Sequence, residues 1–439
     1  MKFFKTILSV FSFQVLEKIV RQFNSIILAR WVGPSSLGVY TLFFTLAQNI
    51  FIFFEFGLGA AGIYNIRRKK SIQIKVIENT ISFSIIIGFF SSLALFIFRD
   101  YLSNSLLEGN SFYILLLALV LPVIMISSIL SIIVRGLFRF DIFNTYLILK
   151  PICFLILISI MLIVFNGNIL SAIYSQILSI FIAGGWIFYK IYKLEKIKLR
   201  FHFNTFLVNL KYGIKQHILK ISLMILSSVQ IYILRYFTDS NIVGQYGIVL
   251  SIIGMISFIK MSISLVLTPK VSELTDNNVH NTIAKVTRNT LFLTIIASVL
   301  IYLLGSFYVS LFYGDKFNYA AENFYWFIPG VIFHSSCVIL HRDFTSRETP
   351  KQFIPILAYS IGAIVISILS FIFLNVFNDN ALKALGLAYN FSHLICLLIL
   401  SFIFKFDTGI SIFDFLLIKK SDFIYYKNKF IFIFHKLKK

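Results

Sequence analysis

The chain has 439 residues, 58% apolar and 13% charged, with 40 Lys and Arg against 18 Asp and Glu for a formal charge of +22. A soluble domain is typically about 45–50% apolar and about 25% charged, so too little polar surface remains to cover a water-soluble globule, and a soluble enzyme is excluded. A nucleic-acid-binding protein gathers its basic residues on a solvated face, whereas this chain holds 51 Phe in long apolar runs, which excludes that class too.

A membrane-crossing helix needs about 20 apolar residues. Twelve runs meet that need, at roughly 7–30, 37–60, 77–98, 112–134, 144–165, 169–189, 213–235, 242–268, 289–313, 323–341, 352–376 and 381–404. The expected fold is therefore an all-α integral membrane protein. The first run follows Lys2 and Lys5, but Glu17, Lys18 and Arg21 interrupt it and no small-residue cleavage site follows, so it reads as a retained helix rather than a signal peptide. Within it, Gln14, Glu17, Lys18, Arg21, Asn24 and Ser25 recur at steps of three and four, which places them on one helical face. The second run repeats the pattern with Thr41, Thr45, Gln48 and Glu55, the seventh with Gln216, His217, Lys220, Ser227 and Gln230, and the eighth with Ser257, Lys260 and Ser264.

Lys and Arg concentrate in alternate loops: 67–75, 135–139, 193–211, 270–285 and 342–351. The other loops hold only Arg30, Arg99, Arg235, Lys316 and Lys383. Short cytoplasmic loops are enriched in basic residues, so both termini are expected in the cytoplasm. The tail carries seven Lys among Phe423, Tyr425, Tyr426, Phe430, Phe432 and Phe434, a pattern suited to lying on an anionic leaflet. Cys153, Cys337 and Cys396 all fall inside apolar runs and suggest neither a disulfide framework nor a metal cluster. Nothing points to a cofactor. His334 and His393 read as satisfied interior histidines.

The two halves of the chain match at a nearly constant offset. Arg30, Ser35, Gly38 and Tyr40 correspond to Arg235, Ser240, Gly244 and Tyr246; Pro122, Ser128 and Arg135 to Pro329, Ser335 and Arg342; Asn168, Leu170 and Ala172 to Asn380, Leu382 and Ala384. The offsets run 205, 206, 207 and then 212. This describes two parallel six-helix lobes, 1–192 and 213–405, joined by a basic cytoplasmic linker at 193–212 and followed by a basic tail at 406–439. Substrate sites of such repeats lie at the repeat interface.

An ionisable side chain at bilayer depth costs about 2.5–3.5 kcal/mol or more, so it normally faces a bundle interior or a watery cavity. Arg21 stands nine residues, roughly 13 Å, from the outer end of its run at Arg30. With Lys18, Lys220 and Lys260 it predicts a cavity of positive character, suited to a phosphate or diphosphate. Gln48 and Gln230 join them as candidate substrate contacts, and Glu17 and Glu55 are the candidates for ion coupling. Snorkelling of Lys18, Lys220 and Lys260 to the headgroups, an i,i+4 pairing of Glu17 with Arg21, and pairing of Glu55 with Arg67 or Arg68 are the competing explanations.

The stretch Ile27-Leu28-Ala29-Arg30-Trp31-Val32-Gly33-Pro34-Ser35-Ser36-Leu37-Gly38-Val39-Tyr40, followed by Phe56-Gly57-Leu58-Gly59, resembles the opening of the polysaccharide transporter family, the Wzx-type O-antigen and capsule flippases. Leu267-Thr268-Pro269-Lys270 is similar to the family's proline-basic step. The resemblance implies the multidrug/oligosaccharidyl-lipid/polysaccharide exporter fold in the cytoplasmic (inner) membrane of a bacterium. The implied substrate is an undecaprenyl-pyrophosphate-linked oligosaccharide for O-antigen, capsule or exopolysaccharide. It also implies contacts with membrane lipids, a coupling proton or sodium ion and a polysaccharide polymerase partner. Gln230 stands where many relatives carry an acid, which moves attention for coupling to Glu17 and Glu55. A cation-coupled multidrug antiporter of the same superfamily would prefer an acidic cavity. A membrane polymerase or glycosyltransferase would place acid-base residues on large exterior loops. The longest here, 99–111, has 13 residues, no His, and Asp100 and Glu108 as its carboxylates.

Overall fold

The computed structural model describes residues 2–59, 61–62, 66, 73–164, 167–195, 197–271, 276–346, 351–377, 379–419 and 422. Among them the regular structure is helical. With no water at bilayer depth to satisfy backbone groups, a helix is the element that bonds all of them within itself. In chain order the helices are α1 (Lys2–Phe54), α2 (Gln73–Ile97), α3 (Arg99–Leu106), α4 (Ser111–Gly136), α5 (Phe140–Ser159), α6 (Ile169–Glu195), α7 (Phe203–Phe237), α8 (Ser240–Val271), α9 (Asp276–Phe312), α10 (Asn318–Asn323), α11 (Ile328–Ser346), α12 (Phe353–Val376), α13 (Ala381–Thr408) and α14 (Ile412–Leu416).

Eleven stretches of the described residues are long and apolar enough to cross a membrane, and their flanks expose large apolar side chains such as Phe89, Phe90, Leu119, Leu303 and Phe307. In water such a surface would drive association; facing lipid it is at rest. The protein is a multi-pass membrane protein.

The expected count of twelve differs from eleven at one place. The first candidate stretch, Ser9–Phe54, has 46 residues, about 69 Å of helix and roughly twice the hydrocarbon thickness. It breaks at Gly33, whose φ of 75° and ψ of 177° are non-helical, with Pro34 directly after it. Gly tolerates that φ without steric cost, and Pro at the first position of a new helix gives up an N–H that would be orphaned anyway. The first two predicted runs are thus two arms, 2–32 and 34–54, meeting at a corner without a loop. Two other boundaries move. Residues 203–212, expected in the linker, begin α7, leaving only a short connection after Glu195; the expected exterior loop at 99–111 is mostly α3.

Within the first half α2 packs on α4, α5 on α6, and α1 on α5; in the second, α12 lies against α7 and α13, and α11 against α9 and α13. Between the halves α1 runs along α8, and the second arm of α1, with α2, touches α7. The internal repeat is visible in this seam. A Cβ on Gly38 would stand 1.9 Å from the Ser240 carbonyl oxygen, and a Cβ on Gly244 would stand 1.9 Å from the Pro34 carbonyl oxygen. Arg30 donates to the Leu311 carbonyl and, at 2.7 Å, to that of Phe312; Arg235 donates to the Leu106 carbonyl at 3.2 Å. Leu106 and Leu311 are 205 apart, as are Arg30 and Arg235. Each half therefore uses an arginine to cap the carboxyl end of a helix in the other, where cations are favoured.

Past α13 the chain folds back. Phe415 of α14 is fully buried, 5.1 Å from the Phe404 ring. Arg288 of α9 grips Asp422 at 2.5 and 3.0 Å and donates to the Asp414 carbonyl at 2.9 Å. The guanidinium holds the Asp422 carboxyl below its ordinary range, against the opposing effect of burial. A carboxyl whose folded pKa is depressed stabilises the fold above the unfolded pKa and loses that contribution as pH falls. Pepsin cleavage after α13 in wild type, divided by that of Asp422→Asn at the same pH so that the protease's own pH dependence cancels, is therefore expected to lie below one and to rise toward one as pH drops below about 4. A ratio of one at every pH would contradict a stabilising role for the Arg288–Asp422 pair. The aromatic-lysine part of the tail, 423–439, lies outside the described residues.

Candidate functional site

Most of the polar stripe of α1 meets a cavity. A space of about 310 Å³ lies between the two arms of α1, α5, α6 and α8, walled by Arg21, Asn24, Tyr40, Thr41, Lys150 and Gln176 among apolar groups. The corner at Gly33 brings Arg21 and Tyr40, on different arms, to one wall. Asn24 donates to the Pro151 carbonyl at 3.0 Å, tying the first arm to α5 one residue from Lys150. Tyr40 donates to Gln176 at 3.3 Å and stacks on Phe154 at 6.3 Å between centroids.

A second cavity of about 570 Å³ opens between α1, α8 and the end of α9, lined mainly by apolar groups such as Ile19, Phe23, Met255 and Phe258, with Lys18, Gln22, Ser251 and Tyr308 among them. Gly254 contributes to its depth, since nothing lies within 4 Å of a Cβ built there. Arg21 and Leu250 line both cavities.

Arg21 donates to Glu17, which is 5% exposed, while its own side chain remains 54% exposed. The guanidinium offers five donors in a rigid fork, and Glu17 engages the Nε side, so the fork keeps donors for a second anion. Lys150 has no bonded partner among the described residues. Around the junction stand three cations, Lys18, Arg21 and Lys150, and one carboxylate, Glu17. In a low-dielectric wall such an excess of positive charge suits an anionic group.

The remaining candidates lie elsewhere. Lys220 reaches across the seam from α7 to the buried Glu55, the residue directly after the second arm, with Nζ at 2.8 and 2.7 Å from the two carboxylate oxygens. Just below them Gly57 and Gly213 come into backbone contact, with a Cβ on Gly57 only 2.1 Å from the Gly213 carbonyl oxygen. Arg67 and Arg68, the other expected partners of Glu55, lie outside the described residues. Lys260 is buried inside the second half, 2.7 Å from Nδ1 of His334. Gln230 is buried there too, donating to Ser370 and to the Leu385 carbonyl and accepting from Tyr246. Gln48 is exposed on the second arm. Of the eight sequence candidates the structure gathers Glu17, Lys18 and Arg21 at the junction of the cavities and pairs Glu55 with Lys220 apart from it.

Sequence reasoning passed over Lys150, which sits between Leu149 and Pro151 inside an apolar run. A lone lysine there was the available signal. It also passed over Gln22, which donates to Tyr308 at 2.9 Å and Tyr313 at 2.7 Å and accepts from Ser251 at 3.2 Å. That network ties α1 to α8 and to the end of α9 beside the second cavity.

A family model described as "polysaccharide biosynthesis protein" matches residues 27–322. Among solved structures the chain is similar to the lipid II flippase MurJ in an inward closed conformation, with a TM-score of 0.76, 18% identity, and 92% of this chain and 89% of that one covered. It is also similar to a multidrug resistance MATE family transporter of the MOP superfamily in inward-facing conformation, with a TM-score of 0.75, 13% identity and coverage of 92% and 99%. An outward-facing conformation of such a transporter matches with a TM-score of 0.60, 15% identity and coverage of 92% and 96%. No curated protein sequence matches the chain. These likenesses give the fold, which is like that of MurJ and of the MATE transporters. Since the family model spans more than half of the chain, the protein belongs to the polysaccharide biosynthesis protein family.

Proposed function

We propose that this protein is a flippase for an undecaprenyl-pyrophosphate-linked oligosaccharide, moving it across the bacterial cytoplasmic membrane for surface polysaccharide synthesis. The observation that carries this reading is the position of Arg21 where two cavities meet, one that sets Asn24, Tyr40, Thr41, Lys150 and Gln176 among apolar groups and a larger one whose wall is mainly hydrocarbon. A lipid-linked sugar has the same layout: a hydroxyl-rich head, an anionic diphosphate and a long hydrocarbon tail. The diphosphate would bind Arg21 and Lys150, with Lys18 at the mouth. The sugar would occupy the cavity of Asn24, Tyr40, Thr41 and Gln176, and the tail would leave between α1 and α8 into lipid. Alternating access would open and close two seams: the Arg30, Arg235 and Gly38–Gly244 contacts at one end and Glu55–Lys220 with Gly57–Gly213 at the other. Both termini and the basic loops would face the cytoplasm, and a polymerase would take over the delivered unit.

Cation surplus at the junction disfavours the multidrug antiporter, whose cargo is cationic. Binding discriminates the two. In nanodiscs, undecaprenyl diphosphate should bind wild type at least about tenfold more tightly than an Arg21→Ala/Lys150→Met double variant, the effect of about 1.4 kcal/mol. Equal binding by the two, or tighter binding of an organic cation than of the diphosphate lipid, would overturn the reading.

A further inference from the structure

Three basic side chains meet in the interior of the second half, away from the cavities. Lys260 comes from α8, His334 from α11 and His393 from α13. Lys260 Nζ is 2.7 Å from His334 Nδ1, and the rings of His334 and His393 are 4.7 Å apart. His393 donates through Nδ1 to the Tyr389 carbonyl at 2.8 Å, which leaves Nε2 as its basic nitrogen. Lys260 stands four residues before the end of the apolar stretch Ser240–Ser264 of α8.

A hydrogen bond between two basic nitrogens has one meaning for its charge. One nitrogen must accept, so the bonded pair carries one proton fewer than its capacity. A further proton would place two cations 2.7 Å apart in a low-dielectric interior, where repulsion breaks the bond. Among the described residues no carboxylate is bonded to Lys260, His334 or His393. The nearby groups are Cys337 on α11, Tyr389 and Cys396 on α13 and, one turn toward the basic end, Arg342, which donates to Ser264. On its other side α8 faces Lys18 and Arg21 of α1 across the apolar cleft. His280 of α9 is held by Asp343 at 2.6 Å, toward the basic end of α11, and His341 stacks on Tyr359.

We propose that Lys260 and His334, with His393 as the next acceptor, form a proton-binding site that couples proton occupancy to the packing of α8, and so to the cavity wall it shares with α1. Adding the proton breaks the Lys260–His334 bond and loosens α8 from α11; losing it restores the bond. The inference rests on the transport reading, because α8 lines both cavities, but its test does not use the transported lipid.

The experiment is hydrogen–deuterium exchange by mass spectrometry on the full chain in nanodiscs, between about pH 8 and about pH 5.5, corrected for intrinsic exchange. In wild type, peptides of α8 and α11 around Lys260 and His334 should exchange at least about threefold faster at the lower pH. His334→Gln and Lys260→Gln should each abolish that change, while Arg21→Ala should keep it. A response that survives both substitutions belongs to His280–Asp343 or His341 and overturns the proposal. So does a wild type with no response, whatever the variants do. If Arg21→Ala keeps the response while diphosphate lipid fails to bind wild type, the substrate reading fails and the proton site stands.

Discussion

Arg21→Ala is expected to abolish surface polysaccharide in the host while leaving the protein in the membrane at wild-type abundance. Two effects of the substitution must be separated. It removes the guanidinium from the cavity junction, and it leaves Glu17, 5% exposed, without its ion partner. Breaking a fully buried pair by removing one partner costs about 3–5 kcal/mol, less here because the arginine is half exposed. The double variant Glu17→Gln/Arg21→Ala removes the stranded charge and should restore stability without restoring export. Arg21→Lys should export weakly, since an ammonium is a point charge that cannot engage two phosphate oxygens as a fork. Full export by the double variant would mean that Arg21 serves the fold and not the cargo. Polysaccharide staining at the cell surface, set against immunoblotting of membranes, reads both quantities.

The second large effect is expected at Gly38. A Cβ there would meet the Ser240 carbonyl oxygen at 1.9 Å and the Gly244 nitrogen at 3.0 Å. Both are backbone, so no side chain can turn aside, and relief requires the two halves to part. Overpacking of this kind costs about 1–3 kcal/mol when it can relax only locally. If parting the seam relieves it, the equilibrium between closed and open moves by about tenfold or more. Gly38→Val should therefore expose the cavity from the Lys/Arg-poor end. A cysteine placed at Ser25, in a chain with Cys153, Cys337 and Cys396 replaced, should react about tenfold faster with a membrane-impermeant thiol reagent. Gly254→Ala is the control, because nothing lies within 4 Å of its Cβ. Unchanged labelling in folded Gly38→Val protein, or an equal rise in Gly254→Ala, would show that this glycine contact is not a gate.

How far these features were readable depends on whether their cause is local. The membrane helices were legible because hydrocarbon thickness alone sets the length of an apolar run. Their polar extensions were not: α7 begins at Phe203 and α9 at Asp276, where helix continues past the apolar part into residues that read as loop. The corner at Gly33 was hidden because Gly-Pro signals a turn, whereas here helix resumes at once with no loop between the arms. The repeat was legible from spacing, and the paired Arg30–Leu311 and Arg235–Leu106 contacts realise it in space. The stripe of α1 was legible because helical period is a one-dimensional property. Partners on other helices were not. Glu55 and Lys220 are separated by 165 residues and Lys260 and His334 by 74, and no pattern in one segment encodes a neighbour in another. Lys150 shows the same limit, a single polar residue without periodic companions, given meaning by Arg21 across the cavity.

The central claim is that the junction at Arg21 carries a lipid diphosphate through the membrane. The most direct test is translocation by the purified full chain in vesicles loaded with undecaprenyl-pyrophosphate-linked oligosaccharide, read by the growing fraction of glycan open to an enclosed glycosidase. Wild type should transfer glycan to the inner leaflet faster than empty vesicles, and Arg21→Ala should fall to the rate of empty vesicles. Translocation by Arg21→Ala at the wild-type rate, with the protein folded and inserted, would contradict the account.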